Sequence, residues 1–170
     1  MSAEPIRVLG IDTALRSTGV AVVESSGSRL KALQHKTIRI PAGRPRSECL
    51  RRLHVEITET LLTHRPHAAA IEGVFFFKNV KTATTLGEAR GAVIAACAEQ
   101  NVPVYEYPPR RVKQAIMGTG AAEKQQVARM VMVLLGMTEE PPEDEGDALA
   151  IAICHVHGQS AHAYLAPTPI

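Results

Sequence analysis

Three apolar runs in this chain each meet a carboxylate at one end. Val8-Leu9-Gly10-Ile11 runs into Asp12, Ala68-Ala69-Ala70-Ile71 runs into Glu72, and Asp144 and Asp147 open the apolar segment 148–153. Runs this short and apolar have the length of buried strands, and an isolated charge at the end of one is costly unless it is paired or solvated. Three such ends in 170 residues, a length suited to one domain with a real core, favour a common destination for the acids. Carboxylates gathered together repel and raise one another's pKa, and hard divalent cations relieve that repulsion by accepting oxygen ligands.

The order of elements says whether the acids can meet. Residues 6–12 read as a buried strand, 13–19 as a turn, 20–23 as a second strand, 25–28 as a second turn and 36–40 as a weakly alternating third strand. Short strands joined by tight turns make an antiparallel meander. The period then changes. Leu50, Leu53, Ile57 and Leu61 recur at helical spacing over 47–64, and Arg65-Pro66 stops that helix. A strand over 68–72 follows, then a helix over 82–100 carrying Leu86, Ala89 and Val93 on one face, then a strand over 102–107. Helices over 110–117, 122–135 and 144–157 complete the pattern, with Gly158 as the final stop. The helical crossover between the fourth and fifth strands makes that part of the sheet parallel. The predicted fold class is α/β, a mixed five-stranded sheet flanked by helices on both faces. Residues 1–158 form one domain and 159–170 a flexible C-terminal tail.

Composition narrows the class further. No apolar stretch reaches the roughly 18 residues needed to span a bilayer, so no membrane partner is expected. The opening Met1-Ser2-Ala3-Glu4-Pro5 lacks the build of a signal peptide, which points to a cytoplasmic protein. Cys49, Cys97 and Cys154 are odd in number and widely separated, so they read as buried thiols, not a disulfide or zinc set. A net charge of +2 is too small to demand nucleic acid. Its distribution says more, because Lys78, Lys81, Arg90, Arg110, Arg111, Lys113 and Lys124 all fall between Glu72 and Asp144. Phe75-Phe76-Phe77, the chain's three phenylalanines, precede Lys78-Asn79. Three adjacent aromatics cannot all face one core, which leaves stacking on an unpaired base or packing at a dimer interface for at least one.

Taken singly, each acid has a structural reading. Asp12 suits a strand–turn junction, Asp144 an N-cap, and Asp147 the helix macrodipole. Taken together they suit a metal centre. Asp144 and Asp147 are spaced i, i+3 on one helix face, and Asp12 and Glu72 meet at one sheet edge if their strands are parallel neighbours. Two cations about 4 Å apart there would activate water against a phosphodiester. His155, two turns beyond Asp147, is a minor further metal candidate, and Glu145 is an additional acid expected to face solvent.

These residues resemble the RuvC family of Holliday-junction (crossover junction) endodeoxyribonucleases. The matching stretches are Gly10-Ile11-Asp12 with Ser17-Thr18-Gly19, and Ala70-Ile71-Glu72 through Val74-Phe75 to Lys78-Asn79. Leu86-Gly87-Glu88-Ala89-Arg90-Gly91, Val112-Lys113-Gln114 and Ala122-Glu123-Lys124-Gln125-Gln126-Val127 follow, and Asp144-Glu145-Gly146-Asp147-Ala148-Leu149-Ala150 comes last. The resemblance implies an RNase H-like sheet, antiparallel through its first three strands and parallel through the first, fourth and fifth. It implies a homodimer that binds four-way junction DNA and makes paired symmetric nicks in recombination and repair. It implies Mg²⁺, with Mn²⁺ able to substitute and two ions per site. Asp12, Glu72, Asp144 and Asp147 fall on the family's metal-binding catalytic acids, and Phe75, Lys113 and Lys124 on DNA-binding positions. The RuvA–RuvB branch-migration complex is an implied partner. One departure stands out: Thr13-Ala14 replaces the usual Pro-Gly after the first aspartate, which limits that turn to backbone angles alanine tolerates. Two alternatives stay open, a non-catalytic junction-binding module and an actin- or sugar-kinase-like phosphotransferase. Against the latter, 170 residues cannot supply two lobes around a nucleotide, and no second glycine-rich phosphate loop appears.

Overall fold

A computed structural model describes residues 4–73, 79–160 and 168–170, without the side chains of 159 and 160. The elements are β1 (Ile6–Asp12), β2 (Ser17–Ser26), β3 (Arg29–Arg39), α1 (Arg46–His64), β4 (Ala68–Glu72), α2 (Val80–Glu99), β5 (Val104–Tyr107), α3 (Pro109–Met117), α4 (Lys124–Leu135) and α5 (Glu143–Ser160). The strands form one sheet in the order β3-β2-β1-β4-β5. β1 is antiparallel to β2 and parallel to β4, and β4 is parallel to β5. The predicted meander and parallel half are both present, joined through β1.

Strand alternation divides the core into two layers. Leu9 and Ile11 of β1, Val20 and Val22 of β2, and Ala69 and Ile71 of β4 pack with Leu53, Ile57, Val93 and Cys97 of α1 and α2. Val8, Ala21, Val23 and Ala70 face the opposite way, toward Val112, Val131 and the apolar stripe 148–154 of α3, α4 and α5. α5 comes unusually close to the sheet because its seat is made of residues with little or no side chain. A Cβ built on Gly10 would lie 2.0 Å from the Ala148 carbonyl oxygen, and one on Gly19 would lie 1.8 Å from that of Asp144. Cys49, Cys97 and Cys154 are buried free thiols, as expected. Among the described residues no helix is long and apolar enough to cross a membrane.

Several boundaries differ from the sequence reading. β2 begins at Ser17, inside the expected turn, and β3 begins at Arg29, seven residues before the expected start at Lys36. β3 is a sheet edge whose residues are mostly half-buried or exposed, so its own pattern carries little apolar alternation. Pairing with β2, from Ser17↔Arg39 to Ser26↔Arg29, is what makes it a strand. α5 continues through Gly158 to Ser160. Residues 161–167 of the expected tail lie outside the described residues, while the Ile170 amide donates to the Val104 carbonyl on the β5 edge at 2.9 Å. Arg65 closes α1 in the left-handed conformation (φ 46°). Ala14 is not among the non-glycine residues with positive φ, so the turn after Asp12 accommodates alanine without strain.

His155 belongs to the core and not to the acids. Its ring is 1% exposed, lies 4.5 Å from the Tyr105 ring between centroids, and its Nδ1 is 2.7 Å from the Tyr107 hydroxyl. Burial pulls its pKa down to about 4. Tyr107→Phe removes one bond of this buried pair and is expected to cost about 1–3 kcal/mol. The check is urea unfolding, read as a lower midpoint at an unchanged slope.

Candidate active site

The alternation that builds the two core layers also aims the acids. Val8 and Gly10 of β1 face α5, so Asp12, two residues on, faces α5 as well. Ala70 of β4 faces the same layer, and Glu72 follows it at the same parity. The parallel register ends at Ile11↔Ile71, one residue before each acid, so Asp12 and Glu72 leave neighbouring strands side by side at their carboxyl ends. Asp144 and Asp147 arrive from above, in the first turns of α5, where the Asp144 backbone is seated over Gly19 and the Ala148 backbone over Gly10. Asp144 is the second residue of the helix and not its N-cap. It accepts a hydrogen bond from the Ser17 hydroxyl at the start of β2.

The four acids share one electrostatic field. The Asp12 carboxyl is pushed up to about 7, first by burial, then by the charges of Asp147, Glu72 and Asp144, with Lys124 pulling the other way. The Glu72 carboxyl is raised by burial and by Asp147, while Lys124 and Lys113 oppose the rise. Lys124 sits at the first position of α4. That helix start is pinned by the Gln126 side chain, which accepts the Glu123 amide at 2.9 Å. Its ammonium donates to Asp147 at 2.8 Å and to Glu143 at 2.5 Å. Burial depresses the Lys124 pKa, but these two carboxylates more than reverse the effect and leave it raised. Lys113 projects from α3 into a cleft of about 200 Å³ that Glu72, Lys124 and Asp147 also line. A larger cavity of about 380 Å³ adjoins it, sharing Lys124 and Asp147 and running along α4 toward Val131 and Pro141. Phe75 and Lys78 lie outside the described residues.

Two features of the site escape a reading of the sequence. Arg90 is buried in α2 and donates to the Glu72 backbone carbonyl and to the Glu106 carboxylate on β5, fastening the end of β4 that carries Glu72. The signal for it was present, since Arg90 precedes Val93 and Cys97 by three and seven residues on an apolar helix face. Glu145, expected to face solvent, has a side chain only 12% exposed and is held by His35 of β3.

The chemistry of this donor set suits a hard divalent cation. Four carboxylates converge, burial and then their mutual repulsion raise Asp12 and Glu72, and the Thr13 hydroxyl beside Asp12 is buried without a hydrogen-bond partner among the described residues. Among the described residues no group of three or more His, Cys, Asp or Glu side chains is placed to hold a metal ion, and Asp144 and Asp147 turn oxygens to Ser17 and Lys124.

A family model for the crossover junction endodeoxyribonuclease RuvC matches residues 8–155. The chain belongs to the RuvC family. It is 46% identical over 159 residues to the RuvC of Alkalilimnicola ehrlichii, covering 94% of this chain and 96% of that one. It is 43% identical over 161 residues to the RuvC of Caldicellulosiruptor saccharolyticus, covering 94% and 97%. Thermus thermophilus RuvC, solved in complex with Holliday junction substrate, superposes with a TM-score of 0.90 at 36% identity over 97% of this chain and 99% of that one. The fold is accordingly RNase H-like, as the sequence resemblance implied.

Proposed function

We propose that this protein resolves four-way DNA junctions as a divalent-cation-dependent endonuclease. The observation that supports this most is the convergence of Asp12, Glu72, Asp144 and Asp147 from three separate elements into one field beside Lys113 and Lys124. On this reading the four acids hold Mg²⁺, or Mn²⁺ in its place, with two ions per site. Bound there, the cations supply the charge that activates water and stabilises the leaving oxygen of a phosphodiester. Asp12 and Glu72 form the floor of the site on strands that cannot shift independently. Asp144 and Asp147 close it from α5. Lys113 and Lys124 face the same cleft and balance charge on the scissile phosphate. Phe75 engages unpaired bases at the junction centre. Two copies of the chain act as a homodimer, giving paired symmetric nicks, and RuvA–RuvB supplies the branch-migrated substrate.

The test compares a four-way junction, a plain duplex and a single strand with the same purified protein, in Mg²⁺ and in EDTA. The expected result is paired nicks in the junction alone and only with Mg²⁺. Junction binding without cleavage in Mg²⁺ would make the protein a binding module and overturn the catalytic reading.

A further inference from the structure

We infer that Glu145, His35 and Thr37 form a clamp that sets where Asp144 and Asp147 stand, making them positioning residues of the site. The inference rests on the proposed metal-holding role of those two aspartates.

Glu145 lies between the two aspartates in sequence, and both of its carboxylate oxygens are committed to β3. One is 2.5 Å from His35 Nδ1 and the other accepts from the Thr37 hydroxyl at 3.0 Å. On β3, Ile38 packs toward α1, so His35 and Thr37 at the opposite parity face α5. Successive helix residues are turned by about 100°, so a side chain bonded to β3 fixes the rotation of the helix and with it the directions of its neighbours. The sheet register shows what the clamp adds. His35 pairs with Ala21 and Thr37 with Gly19, so the clamp stands beside the glycine over which the Asp144 backbone rests. Gly19 sets how deep the first turn of α5 sits. Ser17 holds the Asp144 side chain, and His35 with Thr37 holds the turn laterally. The clamp thereby ties the outermost strand of the sheet to the metal-facing end of α5. A displacement of about 1 Å at such a turn would move both aspartates together, enough to cost on the order of a hundredfold in rate.

The competing explanation is that Glu145 acts only through its charge, as one more acid near the cations. Two substitutions separate the cases. Thr37→Val removes a bond without changing charge and keeps a residue well suited to a strand. Glu145→Gln removes the charge while retaining a group able to bond both partners. Each variant, with Glu145→Ala and Asp144→Asn, is titrated with Mn²⁺ in the absence of DNA by electron paramagnetic resonance, then assayed for kcat and KM on a junction. The clamp predicts that Thr37→Val and Glu145→Ala weaken Mn²⁺ binding about tenfold, the range for groups that orient metal ligands. It also predicts that they lower kcat with KM within about twofold, and that Glu145→Gln stays near wild type. Wild-type Mn²⁺ affinity in Thr37→Val, or a Glu145→Gln variant as impaired as Glu145→Ala, would overturn it. Asp144→Asn distinguishes the failures. If it loses Mn²⁺ while Thr37→Val does not, only the clamp is wrong. If Asp144→Asn binds Mn²⁺ as wild type does, the metal-site reading fails and takes the clamp with it.

Discussion

Asp12→Asn is expected to abolish junction cleavage, by a factor of about 10³ or more, while making the metal-free protein more stable at pH 8. The two effects share one cause. In the free protein Asp12 is held at the end of a buried strand among three other acids, and its carboxyl is raised from the ordinary carboxylate range to about 7. Between those values the folded form carries a proton that the unfolded chain has lost, so stability falls as pH rises through that window. The destabilisation is absent near pH 4 and complete above pH 7. Its size is on the order of 2 kcal/mol after discounting for the solvent still in contact with the group. Asparagine keeps the shape and removes the charge. In EDTA at pH 8 the variant should melt about 5 °C higher, a difference that vanishes by pH 4. His155 contributes the opposite slope, because a histidine buried neutral loses stability as pH falls from 6.5 toward 4. It is common to both proteins, so the difference curve isolates Asp12. Mg²⁺ should raise the melting temperature of the wild type and not of the variant. A variant that melts below wild type in EDTA at pH 8 would mean that Asp12 is not strained by its neighbours.

Gly19→Ala is expected to destabilise the fold by about 3 kcal/mol or more and to remove cleavage with it. The added Cβ would stand 1.8 Å from the Asp144 carbonyl oxygen and 2.4 Å from its carbon. Both sides of that contact are backbone, one in a central strand and one in a helix. No side chain can rotate to relieve it, so α5 must lift from the sheet and carry Asp144 and Asp147 away from Asp12 and Glu72. Gly146→Ala is the matched control. It lies between Glu145 and Asp147 in the same helix turn, yet its Cβ would meet only Pro141 Cγ, at an ordinary 3.7 Å. Helix propensity alone predicts a gain of about 0.5–1 kcal/mol there, with cleavage retained. Urea unfolding and a junction-cleavage assay on the pair decide the matter. Equal stability of Gly19→Ala and wild type would mean that α5 does not rest on β2.

The contrast between these two glycines marks where a reading of the sequence stops. Nothing in the chain tells them apart in this respect: Gly19 lies between Thr18 and Val20, and Gly146 between Glu145 and Asp147. Only the crossing of α5 over β2 makes one indispensable and the other replaceable. Glu145 is the same case for a polar residue. An acid beside two acids looks like solvated helix surface until β3, the strand whose own pattern is weakest, is seen to lie under it. Arg90 differs, because a charge on an apolar helix stripe is visible in the spacing, although its partners, the Glu72 carbonyl and Glu106, are not.

Legible in the chain alone were the elements with strong periodicity, the mixed α/β class, the acids at the ends of buried runs and the family. All of these depend on local pattern: period 2 or 3.6, and the cost of ending an apolar run on a charge. Tertiary structure alone decided the extent of β2 and β3, the depth of α5 and the partners of the acids. Those depend on contacts between separate elements, some of them more than a hundred positions apart, such as Ser17 with Asp144 and His35 with Glu145. No local propensity encodes such contacts, because the energy that selects them exists only once both segments are already packed on the same sheet.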